Sequence, residues 1–537
     1  MGRFHKKEKK KKKEIRENFG KPKSEDFDFD AIRRFADRNK KDSFQELPDK
    51  VCDDMNFMDL FAYVDRTSSK VGQQCLYDRM RRIPLNNKQN EVLEKWITAF
   101  QKNEKLRTDI QYRLQSLSSH ETYYFCDLFQ ANLVTPPKWL PAAYVLSITN
   151  LVLIILTFRF PPLLLLSLLV TIVNIVFHYL NKKNVNTYLY SMPQVHHMAR
   201  LLKIFLSIGF IKKSGQVPES SVRAFYQISK KMNFFRLNEV LLELDPFALL
   251  YNIAELIKMI FLLEPIFLFR ILKRIEKHVT ELHDVFVFVG LVDEAVSITS
   301  LRAGLPYYCC PEVITDIKAM YFTDIYLPFI DHCVPNSLDV NGKSILITGS
   351  NMSGKTTFIR ATGINALTGL TINTCFARSF ALPRLKLWSA ILMNDDLMND
   401  KSFYLEEVQT IKEMIDMSLQ DGPNLFLLDE IYKGTNTVER VSGGKAVLSW
   451  LNKGNNLVFI STHDIELTEL LKGEYDLYHF SEQVENQSVS FDYKLKKGKM
   501  KTRNAIKILE VNGYPPALIA EARAISYEMD KQRPVFR

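Results

Sequence analysis

Cysteine is scarce in this chain: seven in 537 residues, at positions 52, 75, 126, 309, 310, 333 and 375. None forms a C-x-x-C pair, and the Cys309–Cys310 doublet has the wrong spacing for a zinc knuckle, so neither a disulfide framework nor a structural zinc site is expected. An odd number of scattered cysteines fits buried thiols in a reducing compartment. No secretory leader is expected, because no apolar run follows the charged start MGRFHKKEKKKKKEIREN. Internal repeats are absent. A uniformly basic surface is excluded as well: net charge is +10, but residues 1–13 hold eight Lys/Arg against Glu8, so that stretch supplies +7 and the remainder is nearly balanced. Apolar material is plentiful. With 46% hydrophobic and 25% charged residues, the chain is no disordered polymer and suffices for three or four domains at roughly 150 residues each.

Residues 1–50 read as a basic, disordered arm. Its Lys6–Lys13 block is a solvated run, a phosphate-contacting arm for nucleic acid, or one drawn to anionic lipid. Residues 51–135 read as helical, since Phe57, Leu60, Phe61 and Val64 recur at helical spacing, as do Leu93, Trp96, Ile97 and Phe100. Residues 136–183 predict a transmembrane helical hairpin. Trp139–Phe158 is 20 residues without a charge and Phe160–Leu180 is 21, each long enough to cross a hydrocarbon core of about 30 Å. Pro161–Pro162 supplies the turn. Lys138 and Lys182–Lys183 flank the outer ends, which places both termini and the remainder of the chain on the cytoplasmic side. A buried core hairpin is the alternative. Residues 184–320 read as helical again; the apolar run 247–269, interrupted by Glu255, Lys258 and Glu264, reads as a packed amphipathic helix and not a third span. Between 321 and 497, short apolar runs (344–348, 425–429, 457–461) alternate with helical stretches, the pattern of a parallel sheet with crossover helices. A helix pair closes the chain over 498–537, with an apolar stripe of Ala505, Ile508, Leu509 and Val511.

The central motif is Gly349-Ser350-Asn351-Met352-Ser353-Gly354-Lys355-Thr356, followed by Thr357. It matches G-x-x-x-x-G-K-[ST], directly after an apolar strand and before a helical segment. Glycines let the backbone wrap phosphates with its N–H groups inward, Lys355 reaches the β/γ-phosphates of ATP, and Thr356 places a hydroxyl on Mg²⁺. A second acidic site is expected at the end of a neighbouring strand. Asp429 and Glu430 end the run Leu425–Glu430, Asp429 to hold Mg²⁺ and Glu430 to orient or deprotonate the attacking water. The strand 457–461 leads into Thr462-His463, which puts an imidazole where it can sense the γ-phosphate.

These strings resemble the C-terminal ATPase of the MutS mismatch-repair family. TGSNMSGKTTFIR (348–360) looks like that family's T-G-P-N-M-G-G-K-S-T loop, DEIYKGTNT (429–437) like D-E-[IL]-G-R-G-T-S-T, and STHDIEL (461–467) like T-H-Y-H-E-L. Asp395-Asp396-Leu397 with Ser402-Phe403 and Glu406 is similar to D-D-L…S-T-F-x-x-E, and Val334-Pro335-Asn336 to the segment leading into the nucleotide site. Residues 55–85 resemble the start of the family's helical core, and 498–523 its C-terminal helix pair. The resemblance implies an α/β P-loop NTPase domain of MutS/ABC-like type preceded by an all-α core/lever-like domain, here carrying the hairpin. It implies a homodimer in which Ser402 is donated to the partner's nucleotide, and duplex DNA as a partner. It also strengthens the case for His463 as catalytic.

Departures from the family's pattern bear on function. Residues 1–50 are too few and too charged for the family's N-terminal mismatch-reading domain with its Phe-x-Glu wedge, and the connector domain is missing, so a shortened form with doubtful mismatch specificity is expected. Tyr432-Lys433 replaces Gly-Arg, and Leu327-Pro328 stands where the family has His-Pro. Neither change removes a phosphate or Mg²⁺ ligand. Two readings follow. One is a membrane-anchored ATPase whose dimer closes on duplex DNA largely through phosphate contacts. The other is a membrane-bound, ATP-driven mechanical switch that acts on a protein or lipid.

Overall fold

A computed structural model of the chain describes residues 2–189, 191–232, 248–315, 318–350, 352–392, 403–420, 422–485, 488–500 and 505–532. The chain divides into two compact units that interleave in sequence. One comprises 1–41, 65–78 and 91–301; the other comprises 42–64, 79–90 and 302–537.

Among its described residues the first unit is helical. Its basic start is a helix, Gly2–Glu17, and not the coil expected from its lysine run. Glu8 pairs with Lys12 and Glu17 with Lys13 one turn apart, and Lys12 also reaches Asp109 at 2.7 Å. Charge paired at i,i+4 supports the helix that an unbroken lysine block would oppose. The long apolar runs form two helices, Leu140–Thr157 and Leu163–Leu189, joined across Pro161–Pro162. Their packing inverts the soluble pattern. On the second helix Ser167, Asn174, His178 and Asn181, spaced to share one face, are buried, whereas Leu165 is 77% and Ile172 62% exposed. Ser167 Oγ donates to Asn150 Oδ1 (3.1 Å) and Asn150 Nδ2 to Thr171 Oγ1 (3.0 Å). The polar groups pair with one another and the leucines face outward. The run beyond 247 is two helices, Ala248–Ile260 and Leu263–Ile275, and not the single amphipathic helix expected.

The second unit is α/β. Its strands are β1 (Gln45–Glu46), β2 (Arg82–Ile83), β3 (Glu312–Val313), β4 (Ala319–Ile325), β5 (Asn336–Asn341), β6 (Ser344–Thr348), β7 (Ser379–Leu382), β8 (Lys386–Ala390), β9 (Asn424–Asp429), β10 (Leu457–Thr462), β11 (Tyr475–His479), β12 (Glu482–Glu485), β13 (Ser488–Phe491) and β14 (Lys496–Lys497). The main sheet has the order β14-β11-β6-β10-β9-β8, parallel except for β14. A smaller sheet, β3-β7-β4-β5, is mixed, with β3 parallel to β7. β6 and β10 are buried throughout, which is why they read as unbroken apolar runs: helices cover both faces of such a sheet.

The helix Lys355–Ile372 packs close to β9. A Cβ at Gly363 would lie 2.5 Å from Leu427 Cδ1, so glycine alone permits that approach. Buried Thr362, Thr368 and Thr371 satisfy their hydroxyls on carbonyls four residues back. All seven cysteines are free; Cys52, Cys75, Cys126 and Cys375 are buried, but Cys310 is exposed, contrary to the expectation of uniformly buried thiols.

Candidate active site

Strand order brings the chemistry together. β10 lies between β6 and β9, with Thr462 opposite Thr348 and Ser461 opposite Asp429. The three strands therefore end flush, and the residues after each one meet at the carboxyl edge of the sheet, where open parallel sheets form their crevice. The loop after β6 turns with Gly349 at φ +152°, Met352 at +69° and Gly354 at +103°. A side chain at Gly349 would meet the Phe480 carbonyl and Ser353 Oγ, both at 2.9 Å. Glycine is needed there for space as well as for backbone freedom.

Lys355 is buried, its Nζ donating to the carbonyls of Gly349 and Ser350, each at 2.8 Å. Burial holds this ammonium below the ordinary lysine range, against the pull of Asp429, Glu430 and Glu482. An ammonium resting on neutral carbonyls is poised to transfer to an anionic oxygen. Thr356 Oγ1 donates to Asp429 Oδ2 at 2.6 Å, and Ser461 Oγ donates to Asp429 Oδ1. A hydroxyl and a carboxylate meeting at one point form the hard oxygen set that Mg²⁺ takes, and the site fits that ion. The buried Ser353 hydroxyl has no hydrogen-bond partner among the described residues.

Glu430 lies 3.0 Å from His463 Nε2, which is itself 3.2 Å from Lys355 Nζ. The hydrogen bond from His463 holds the Glu430 carboxyl below the usual range against a burial penalty, and Lys433, at 3.8 Å, adds to the effect. A carboxylate kept ionised beside a phosphate-binding lysine is suited to take a proton or orient a water. Of the residues picked out by sequence, Gly349, Ser350, Met352, Ser353, Gly354, Lys355, Thr356, Thr357, Asp429, Glu430 and His463 are gathered here; Asn351 and Ser402, with the 395–397 segment, lie outside the described residues.

All of those gathered here except Gly349 and His463 line a cavity of about 440 Å³, a volume that takes a nucleotide-sized ligand. Two of its features escaped sequence reading. Tyr493 lines it, so close that a Cβ on Gly354 would lie 3.3 Å from its ring. Asn336 holds Tyr493 in place, donating to its carbonyl at 3.0 Å and accepting from Leu495 N at 2.8 Å. Glu482 accepts from Ser350 Oγ at 2.6 Å. No motif signals either residue, because the contacts span more than 130 positions.

Fold and site define a P-loop nucleotide-binding domain in which the phosphate loop and the acidic strand flank a third strand. Residues 345–530 match the family MutS domain V. The DNA mismatch repair protein MutS of Thermus aquaticus is 28% identical over 201 residues, 37% of this chain and 24% of that protein. Its counterpart from Aquifex pyrophilus is 27% identical over 212 residues (38% and 24%), and that from Fervidobacterium nodosum 29% over 205 residues (37% and 24%). Residues 345–530 thus carry a MutS domain V, and the similarity to the MutS proteins lies in this C-terminal part of the chain. It spans about a quarter of the length of the curated relatives it matches.

Proposed function

We propose that this protein is a membrane-anchored, mismatch-repair-related ATPase that uses ATP to close a homodimer on duplex DNA. The reading rests on the convergence of Lys355, the Thr356–Asp429 pair and the Glu430–His463 pair on one cavity. Lys355 binds the β/γ-phosphates, the backbone of 349–354 cradles them, and Thr356 and Asp429 hold Mg²⁺. When bound, that ion supplies charge for the phosphate oxygens as the γ-group leaves. Glu430 accepts the proton of the attacking water or fixes its direction, and His463 sets the orientation of Glu430. Ser402, by the family's pattern, completes the partner's site across the dimer.

Membrane anchoring draws its support from the inverted helices of 139–180. Only 17% and 22% of their apolar windows are buried, and the buried face is the polar one. A core hairpin in water would bury its leucines and expose its asparagines; lipid reverses both preferences. Both helices satisfy their own backbone, as a span must.

Three measurements test the reading. Lys355→Ala should abolish nucleotide binding, and Glu430→Gln should bind ATP without hydrolysing it; turnover no higher than the Lys355→Ala background refutes the ATPase assignment. Protein that leaves membranes in a carbonate wash refutes anchoring, whereas deletion of 139–180 should release protein that stays. DNA binding should weaken steeply with salt. A hairpin-deleted protein without such binding would favour the switch that acts on a protein or lipid.

A further inference from the structure

The helices Ala248–Ile260 and Leu263–Ile275 carry an apolar end and a basic end. They part at Phe261–Leu262, where Leu262 takes the left-handed conformation at φ +48°. A break there leaves the last carbonyls of the first helix without intrahelical partners. Two amides of the apolar hairpin meet one of them: Asn150 Nδ2 at 3.1 Å and Asn174 Nδ2 at 2.7 Å both donate to the Ile260 carbonyl. Asn150 and Asn174 lie near the midpoints of the windows Leu140–Thr157 and Leu163–Lys182, so the break is held at half the hairpin's length. Leu262 and Ile266 then pack with Ala143, Trp139 and Phe177. The second helix thus runs from mid-hairpin back toward the end that Lys138 flanks.

Along that helix and the turn after it the apolar stretch gives way to Arg270, Lys273, Arg274 and Lys277. At 1.5 Å per residue these lie about 12 to 22 Å from Leu262, and half a hydrocarbon core is about 15 Å. In a membrane spanned by the hairpin, the four cations stand at headgroup level. There they line, with Lys231, Phe267, Ile271 and His278, a cavity of about 690 Å³. Among the described residues no carboxylate lines it. His278 is engaged by Glu281 at 3.0 Å, and Arg274 donates to Gln227 at 3.0 Å while its Nε is buried without an acceptor. Five permanent cations around one cavity repel one another and concentrate an anion.

We infer that this cavity binds the phosphate headgroup of an anionic membrane lipid, with Arg270, Lys273, Arg274 and Lys277 as donors and Phe267 and Ile271 against the first methylenes of the chains. The inference rests on the anchoring proposed for 139–180.

Full-length protein in detergent, titrated with phosphatidylglycerol or phosphatidylcholine and followed by native mass spectrometry, tests it. Phosphatidylglycerol should be retained at least about tenfold better. The preference should vanish in Arg270→Gln/Lys273→Gln/Arg274→Gln/Lys277→Gln. Arg274 is partly buried and its loss could disturb packing, so Lys273→Gln/Lys277→Gln, at two exposed positions, serves as the second variant and should lose most of the preference. The Lys6–Lys13 run stays intact in all of them. Variants that keep the wild-type preference overturn the inference. Displacement of the lipid by millimolar inorganic phosphate also overturns it, since the site would then take soluble phosphate. Carbonate extraction of the same proteins keeps the two readings apart: protein that stays in the membrane without any lipid preference sinks the cavity alone, and protein that washes out sinks the anchoring.

Discussion

Glu407 bonds to the backbone that follows the acidic pair Asp429–Glu430, and turnover should depend on it. It sits on the helix Phe403–Ser418 and is buried. Its Oε1 accepts from the backbone N–H of Tyr432 and, at 3.3 Å, of Lys433. Burial pushes this carboxyl up, against the pull of those donors and of Lys433. The anchored loop follows Asp429 and contains Glu430 at φ +61° and Tyr432 at φ +58°. Left-handed backbone at residues with side chains costs roughly 1–2 kcal/mol each, so the loop keeps this shape only while something outside it holds it. Glu407→Ala removes that hold. Hydrogen bonds to a charged group contribute about 1.5–3 kcal/mol, partly offset because the burial cost of the carboxylate goes too. A net loss of about 1.5 kcal/mol corresponds to roughly tenfold in the population that places Glu430 against His463. kcat should therefore fall by up to about tenfold, while affinity for a fluorescent ATP analogue changes by less than about threefold, because the Glu407 carboxyl bonds to the backbone after Asp429 and Lys355 to the carbonyls of Gly349 and Ser350. Glu407→Gln keeps a carbonyl acceptor and should retain most activity. Phosphate release and analogue binding, measured on one preparation, decide the matter: wild-type kcat in Glu407→Ala, or a loss confined to affinity, refutes the argument.

In the helical unit, fully buried Asp293 accepts from Ser68 N, Ser69 N and Ser69 Oγ at 2.9, 2.8 and 2.6 Å, and burial pushes its pKa up to about 6. Its folded value lies above the unfolded one, so the stability it confers is full below about pH 4 and is lost as pH rises through 6, a change of about 3 kcal/mol. Asp293→Asn should flatten the pH dependence of the urea midpoint between pH 4 and 7; an unchanged slope contradicts this. Gly72→Ala would place a Cβ 2.3 Å from Asp293 Oδ2 and should destabilise by about 1–3 kcal/mol, whereas Gly209→Ala, with nothing within 4 Å, should be near neutral in the same melts. Mixing Ser402→Ala with Lys355→Ala subunits should restore part of the ATPase activity by forming one intact site per mixed dimer. No recovery in proven heterodimers argues against donation across the interface.

The local sequence suffices for every group whose role is set by neighbours in the chain. Gly349–Thr356 turns as its glycines dictate, Asp429–Glu430 falls at the end of an apolar strand, and two uncharged runs become two long helices, because hydrophobic period and loop chemistry act within a few residues. Tertiary structure alone decides what faces what. Tyr493 comes over Gly354 only because Asn336 fixes the connection between β13 and β14 that carries it, and Glu407 reaches the loop after Asp429 only because two elements pack. The same holds for the hairpin. Its composition permits a core or a membrane, and which of its faces is covered, with Asn174 inside and Leu165 outside, is set by tertiary contacts. Period assigns residues to a face of a helix, but the direction that face points is set by contacts distant in sequence, which no window of neighbouring residues contains.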